Sequence, residues 1–274
     1  MDQSTLETQT ISIASLDRHP TQYRGFDRVV IWISGHWILL LGLLGGFFAL
    51  LPFLAPVLMF VGWNFPGKII YGIYSFLCHQ LPERSYFLFG PKLTYSLSEI
   101  QTGWQMTSDP WVLRQFVGSP EFGWKVAWSD RMVAMYSSLW LFSLLWGLFR
   151  RWVVALPWWG LILLYLPMAV DGTSHIISDL IGIGQGFRDS NAWLAILTSN
   201  TMPTSFYVGD AWGSFNSLMR LFTGILFGLG TVWYIFPVLE EAFTSMVQVL
   251  EYKYRSLALL QREKERILKG GFHE

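Results

Sequence analysis

From Val29 to Trp63 the chain carries no Asp, Glu, Lys or Arg, and a stretch of that kind has few ways to fold in water. About 20 predominantly apolar residues cross a bilayer core of about 30 Å. The stretch is long enough for one crossing and too short for two. It predicts a span from Val29 to about Leu51 with an interfacial continuation, broken at Pro52, Pro56 and Pro66, where proline removes a backbone donor and crowds the preceding turn. Three further apolar runs follow: Met132 to Phe149, stopped by Arg150 and Arg151; Trp152 to Val170, with Pro157 near its start; and Phe215 to Phe236. Gly42 with Gly46, and Gly224 with Gly228, have the small-xxx-small spacing that lets helices approach closely. The expected fold is all-α: a polytopic membrane bundle of about four transmembrane helices.

Composition points the same way. Hydrophobic residues make up 52% of the chain and charged ones 14%, a balance poor for a soluble surface. The fifteen Trp suit the membrane interface, where an apolar ring meets a wet edge. Formal net charge is zero, so no attraction to nucleic acid is implied. Cys78 is the single cysteine, which excludes an intrachain disulfide and a multi-cysteine metal site.

Residues 1–28 lack the apolar core and cleavage site of a secretory signal and read as a retained cytoplasmic tail. Arg18, Arg24 and Arg28 precede the first span, and Arg150 with Arg151 fills the turn between the second and third. Short basic segments stay on the cytoplasmic side, so the pattern predicts a multi-pass protein of the cell membrane with both termini in the cytoplasm. On that topology residues 29–236 form the bundle, and residues 64–130 and 171–214 are outer loops that build an extracytoplasmic cap. Within the first loop, Lys68 to Ser85 reads as a half-buried helix along the membrane, ending near Pro82, and the rest holds short helices only. Residues 237–274 read as an amphipathic or coiled-coil cytoplasmic helix, with Leu239, Phe243, Met246, Leu250, Tyr254 and Leu257 at alternating steps of four and three. The lipid bilayer is the first expected partner, and residues 239–268 offer a face to a protein partner.

Polar residues from four separated places meet at one membrane boundary: Cys78-His79-Gln80 with Glu83-Arg84-Ser85, Asp130-Arg131, Asp171 with His175, and Arg220. An ionisable group at membrane depth costs roughly 2.5 to 3.5 kcal/mol on insertion scales, so the cluster demands a reason. Asp171 and His175 are four apart and share a face on a helix, where a carboxylate can orient an imidazole. His79, Asp171 and His175 are therefore the candidates for moving protons. The same three supply the donor set of a divalent-metal site, although a helix start at Asp171 explains the pair as simply. Arg131, Arg220, Arg84 and Gln80 are the candidates for binding an anionic substrate, with internal neutralisation by Asp130, Asp171 and Glu83 as the plain alternative. No cofactor fingerprint occurs.

The run Cys78-His79-Gln80-Leu81-Pro82-Glu83-Arg84-Ser85, followed by Leu88-Phe89-Gly90, resembles the opening signature of a family of predicted prokaryotic integral membrane proteins, domain of unknown function 2085. Trp128-Ser129-Asp130-Arg131, with Ala134 and Tyr136, resembles that family's Cys-x-Arg element. Pro167 to Gly172 resembles the end of its third span, and Leu218 to Gly228 its last span; the similarity covers about Ile69 to Leu229. The resemblance implies a bacterial or archaeal membrane protein and carries no activity with it. Here Ser129 stands where the family usually has a cysteine, so a site built from several thiolates is not implied.

Three functions fit these residues. The first is a binding, assembly or accessory subunit; the second an enzyme acting on a lipid-linked or small anionic substrate at the outer face; the third a small-solute transporter, disfavoured by the absence of an internal repeat.

Overall fold

The computed structural model describes residues 25–270, with side chains as far as Ile267; Arg18, Arg24 and the predicted tail up to position 24 lie outside the described residues. The chain divides into two compact units, Ile38–Val238 and Met1–Trp37 with Leu239–Glu274. Four helices are long and apolar enough to cross a membrane: α1 (Phe26–Phe60), α5 (Asp130–Phe149), α6 (Trp158–Asp179) and α10 (Phe215–Gly270). Their outward faces are apolar: Leu43, Leu44 and Phe47 on α1, and Ile162, Leu163 and Leu166 on α6, are all more than half exposed.

Two of these helices run farther than the prolines suggested. The expected break at Pro52 and Pro56 does not occur, because α1 continues through both to Phe60. Proline at position i orphans the carbonyl at i−4, which for Pro52 is that of Phe48. The Tyr74 hydroxyl donates to that carbonyl at 2.8 Å. The same remedy recurs at Pro237, where a change from span to separate helix was expected and α10 instead continues unbroken. There the orphaned carbonyl is that of Trp233, and it accepts from the Leu156 backbone N–H at 3.4 Å. Proline is tolerated in apolar helices when neighbouring elements satisfy the freed group.

Within the unit Ile38–Val238 the glycine pairs are contact points. A methyl group on Gly46 would meet the Trp140 indole at 2.8 Å, and Trp140 Nε1 donates to the Gly42 carbonyl at 2.9 Å, joining α1 to α5. On α10, Gly224 lies against Ala134 and Gly228 against Ser138 of α5, and Ser138 Oγ donates to the Gly224 carbonyl at 3.2 Å. Tyr165 on α6 meets Thr231 on α10 at 2.8 Å.

The segment between α1 and α5 departs most from the sequence reading. Its first helix, α2 (Asn64–Tyr74), ends eight residues before Pro82, and the remainder is not helices alone. After a 3-10 turn at Pro82–Arg84 come β1 (Ser85–Leu88), α3 (Leu97–Gly103), α4 (Pro110–Leu113), β2 (Gly118–Ser119) and β3 (Gly123–Ser129). The strands form an antiparallel sheet in the order β1-β3-β2, with Phe87 opposite Lys125 and Leu88 opposite Trp124. Gly123 permits the close pairing: at φ +77° it has no room for a side chain, since a Cβ would fall 2.4 Å from the Leu88 carbonyl. One face of the sheet packs on α2 through Tyr71, Tyr74 and the fully buried Trp128, the other on Ile100, Leu113 and Phe116.

α6 also runs past its predicted end at Val170, so Asp171 and His175 belong to a helix rather than to a loop. Beyond it, α7 (Phe187–Ser190), α8 (Ala192–Leu197) and α9 (Thr204–Tyr207) complete the cap. In the other unit, Trp37 stacks on Phe243 and Asp27 accepts from both Lys253 and Tyr254 at 2.9 Å. At Phe243 and Tyr254 the seam expected to meet a protein partner is used within the chain.

Gly228→Ala is expected to loosen the α5–α10 contact, because its Cβ would lie 2.2 Å from Ser138 Oγ and 2.7 Å from the Leu139 backbone nitrogen. Overpacking of this kind costs about 1–3 kcal/mol. Gly72→Ala on α2, with nothing within 4 Å, is the control that loses no stability when both are unfolded in detergent micelles.

Candidate functional site

The site is assembled where β3 turns into α5. Ser129 ends the strand and Asp130 begins the helix, so Asp130 and Arg131 emerge at the junction of cap and bundle. Opposite them runs the loop Cys78–Leu81. Gln80 holds it in place from a left-handed conformation (φ +54°), its amide donating to the Tyr71 and Ala127 carbonyls at 3.0 Å each. Cys78 Sγ accepts two backbone N–H groups, from Gln80 and Ser129, at 3.4 Å. The position at which the family resemblance implies a second thiol therefore lies beside Cys78, and in this chain it holds a serine.

Four arginines and four aspartates interlock around this junction. Arg84 grips both oxygens of Asp179 at 2.7 and 2.8 Å and gives its Nε to Asp210 at 2.8 Å. The other Asp210 oxygen takes Arg220 Nη1 at 2.6 Å, and Arg220 Nε reaches both oxygens of Asp130 at 2.8 Å. Asp171 is shared between Arg131 Nη2 at 2.8 Å and Arg188 Nη2 at 2.7 Å. Arg188 spends its remaining donors on Asn216 Oδ1 and Ser174 Oγ, both at 3.2 Å. Burial opposes charge on Asp210, but Arg84 and Arg220 outweigh it and hold the carboxyl well below the usual range.

The sequence candidates converge on one half-open cavity of about 470 Å³. His79, Gln80, Arg84, Arg131, His175 and Arg220 all line it, while Asp171 stands behind the wall. Their chemical freedom differs. Arg84 and Arg220 commit every guanidinium nitrogen to carboxylates or a carbonyl, and Gln80 is consumed by backbone. Arg131 commits only Nη2; its Nε and Nη1 make no hydrogen bond among the described residues. His175 sits with Nε2 3.2 Å from Arg188 Nη2 and 3.9 Å from Asp171, and its Nδ1 is buried without a partner. His79 is exposed at the rim. Among the described residues no three His, Cys, Asp or Glu side chains are gathered to hold a metal, so His79, Asp171 and His175 do not form the trio the sequence suggested.

Sequence reasoning missed Asp179, Arg188 and Asp210, three of the eight members of the network. Asp179 follows from extending α6, since it lies two turns beyond Asp171 on the same helix. Arg188 and Asp210 come from a stretch that read as polar loop and carry no periodic signal. They are held there by two fully buried amides: Asn191 donates to the Arg188 and Tyr207 carbonyls, and Asn216 to those of Arg188 and Gly209.

Two further ionisable side chains are buried beside the Cys78–Leu81 loop. Lys125, fully buried on β3, donates to the Gln80 and Arg114 carbonyls at 2.7 and 2.8 Å. Glu83 is 2% exposed and neither of its carboxyl oxygens has a hydrogen-bond partner among the described residues. Burial pushes Glu83 up to about 7, with Arg84 pulling the other way, and burial pushes Lys125 down to about 7.

This arrangement is a helical bundle of membrane-spanning type, capped by a small sheet and short helices and fastened by ion pairs. A family described as predicted membrane protein (DUF2085) matches residues 121–208, which contain Asp130, Arg131, Asp171, Asp179 and Arg188. An uncharacterized protein of the archaeon Methanocaldococcus jannaschii is 26% identical over 202 residues, covering 71% of this chain and 86% of that protein. No solved structure gives a significant match. The chain thus resembles predicted membrane proteins of unknown function; the family match is narrower than the expected Ile69 to Leu229 and leaves out the Cys78–Ser85 and Leu218–Gly228 motifs.

Asp210→Asn removes the carboxylate that joins Arg84 to Arg220, and breaking a buried pair in this way costs roughly 3–5 kcal/mol. The loss is expected in chemical unfolding of the purified protein. Glu83 gives a pH signature. A carboxyl held above its ordinary value near 4.5 keeps its proton longer in the folded state, so its contribution is fully present below that value and is lost as pH rises to 7. Lys125, held below its ordinary 10.5, works in the opposite direction: the penalty on its charge is relieved only as pH rises from 7. The melting-temperature advantage of Glu83→Gln over the natural protein is therefore expected to grow from pH 5 to pH 8, and an advantage that is constant across that range contradicts the assignment.

Proposed function

We propose that this chain is a non-catalytic component of the cell membrane, a binding or accessory subunit, whose cap lies on the extracytoplasmic side. The observation that carries the reading is the closed set of ion pairs. A general base needs a carboxylate or imidazole free to take a proton from substrate. Asp130 is held by one arginine, and Asp171 and Asp210 by two each. An arrangement that neutralises its own charges this fully supports a fixed scaffold more than a proton shuttle. The orientation rests on Arg28, Arg150 and Arg151, which put the N-terminal end of α1 and the α5–α6 turn in the cytoplasm. With four crossings, the cap then faces outward.

One observation favours the enzymatic alternative: His175 lines the cavity with Nδ1 uncommitted. The full chain, purified in nanodiscs containing anionic phospholipids, separates the readings when its lipids are analysed by mass spectrometry after incubation. Bound lipid of unchanged mass is expected. Conversion to a new product, abolished by His175→Gln with no change in melting temperature, would establish the enzyme and sink the scaffold reading.

A further inference from the structure

We propose that the half-open cavity at the cap–bundle junction is a binding site for the anionic head group of a membrane amphiphile, anchored by Arg131. The inference deepens the binding role proposed above and rests on it. Two features support it independently.

Arg84, Arg131 and Arg220 line the wall with Asp130 and Asp179, and Asp171 and Asp210 directly behind complete their ion pairs, so the fixed charges balance. The wall still offers donors that the protein does not use: Arg131 keeps Nε and Nη1 free of protein partners among the described residues, with its side chain only 16% exposed. Each of these N–H groups is a charge-assisted donor for one oxygen of a phosphate or carboxylate. His175 also lines the cavity, one residue before the apolar rim begins at Ile176.

The remaining wall is largely apolar. Met132, Ile183, Ile176 and Leu180 line the cavity, and the last two are 66% and 80% exposed on a helix whose other outward residues are also hydrophobic. A small inorganic anion has no use for such a flank. A molecule with an acyl portion does, because it can cover Ile176 and Leu180 while its head group reaches Arg131. The cavity, at about 470 Å³, accommodates a head group and the first part of a chain.

The test uses the full chain in detergent, with phosphatidylglycerol, phosphatidylcholine and inorganic phosphate as probes, read by native mass spectrometry and by melting temperature. Phosphatidylglycerol is expected to stay bound and raise the melting temperature more than phosphatidylcholine does. Arg131→Gln should weaken its retention roughly tenfold, the worth of one charge-assisted hydrogen-bonded contact. Asp171 keeps Arg188 in that variant, so its charge stays paired. Ile176→Trp, a rim substitution that removes no ion-pairing group, should block retention while every charge of the network stays in place, and it decides the matter if Arg131→Gln folds poorly. Equal retention of the two lipids by the natural protein overturns the proposal, as does undiminished phosphatidylglycerol binding by Ile176→Trp. Protection by inorganic phosphate equal to that by the lipid overturns the amphiphile. Loss of the site in these ways leaves the scaffold reading standing, whereas chemical conversion of bound lipid sinks the scaffold reading and leaves the site.

Discussion

Asp210 is the residue on which the rest of the polar architecture depends. It stands in the cap, between α9 and α10, and touches Arg84 from the cap's first half and Arg220 from the first turns of α10. Through Arg84 it reaches Asp179 at the end of α6, and through Arg220 it reaches Asp130 at the start of α5. One carboxylate thus ties together segments separated by more than a hundred residues of sequence, at a level where water is scarce. The energy of such a link comes less from attraction than from the penalty on any alternative, since each charge removed from water must find a partner or be expelled. The result favours the placement of cap on bundle in which these charges meet.

The same logic governs the neutral polar groups. Helices α1 and α10 keep going through prolines because the carbonyls those prolines orphan are claimed by Tyr74 and by the Leu156 backbone. In an apolar environment an orphaned carbonyl is as consequential as a charge, so the cap and the α5–α6 turn act on the spans as well as resting on them. Gln80, Asn191 and Asn216 do comparable work on the cap side. Each is buried and spends its side-chain donors on backbone carbonyls, fixing loops that have no regular structure of their own.

How far the sequence disclosed this depends on range. The four spans were legible because absence of charge over about 20 residues is a local signal, and the glycine pairs because helical spacing is local too. The Asp171–His175 pair and the position of Arg131 and Arg220 in the first turns of their helices were legible for the same reason. The sheet was not: its central strand, Gly123–Ser129, carries a lysine in the middle, and nothing nearby announces that carbonyls from Gln80 and Arg114 will receive it. Nor did Arg188 and Asp210 stand out, because a charge in a polar stretch looks solvated until the partner arrives from elsewhere in the chain. The uninterrupted passage of α10 through Pro237 failed on similar grounds, since the donor that permits it lies 77 positions before the carbonyl it satisfies.

Arg131 is where the network stops being symmetrical. The other three arginines are saturated by partners fixed in the cap or the helices, and they have no capacity for anything added later. Arg131 shares its carboxylate with Arg188, which holds Asp171 from the buried side. Asp171 would therefore stay paired if an incoming anion drew Arg131 toward the cavity, so occupation of the proposed site need not break the fastening of cap to bundle. Gly172, the next residue on α6, gives the Arg131 guanidinium its place: a Cβ there would stand 2.8 Å from Nη1. Among the four arginines, uncommitted donors are confined to Arg131, which shares its cavity with Met132, Ile176, Leu180 and Ile183.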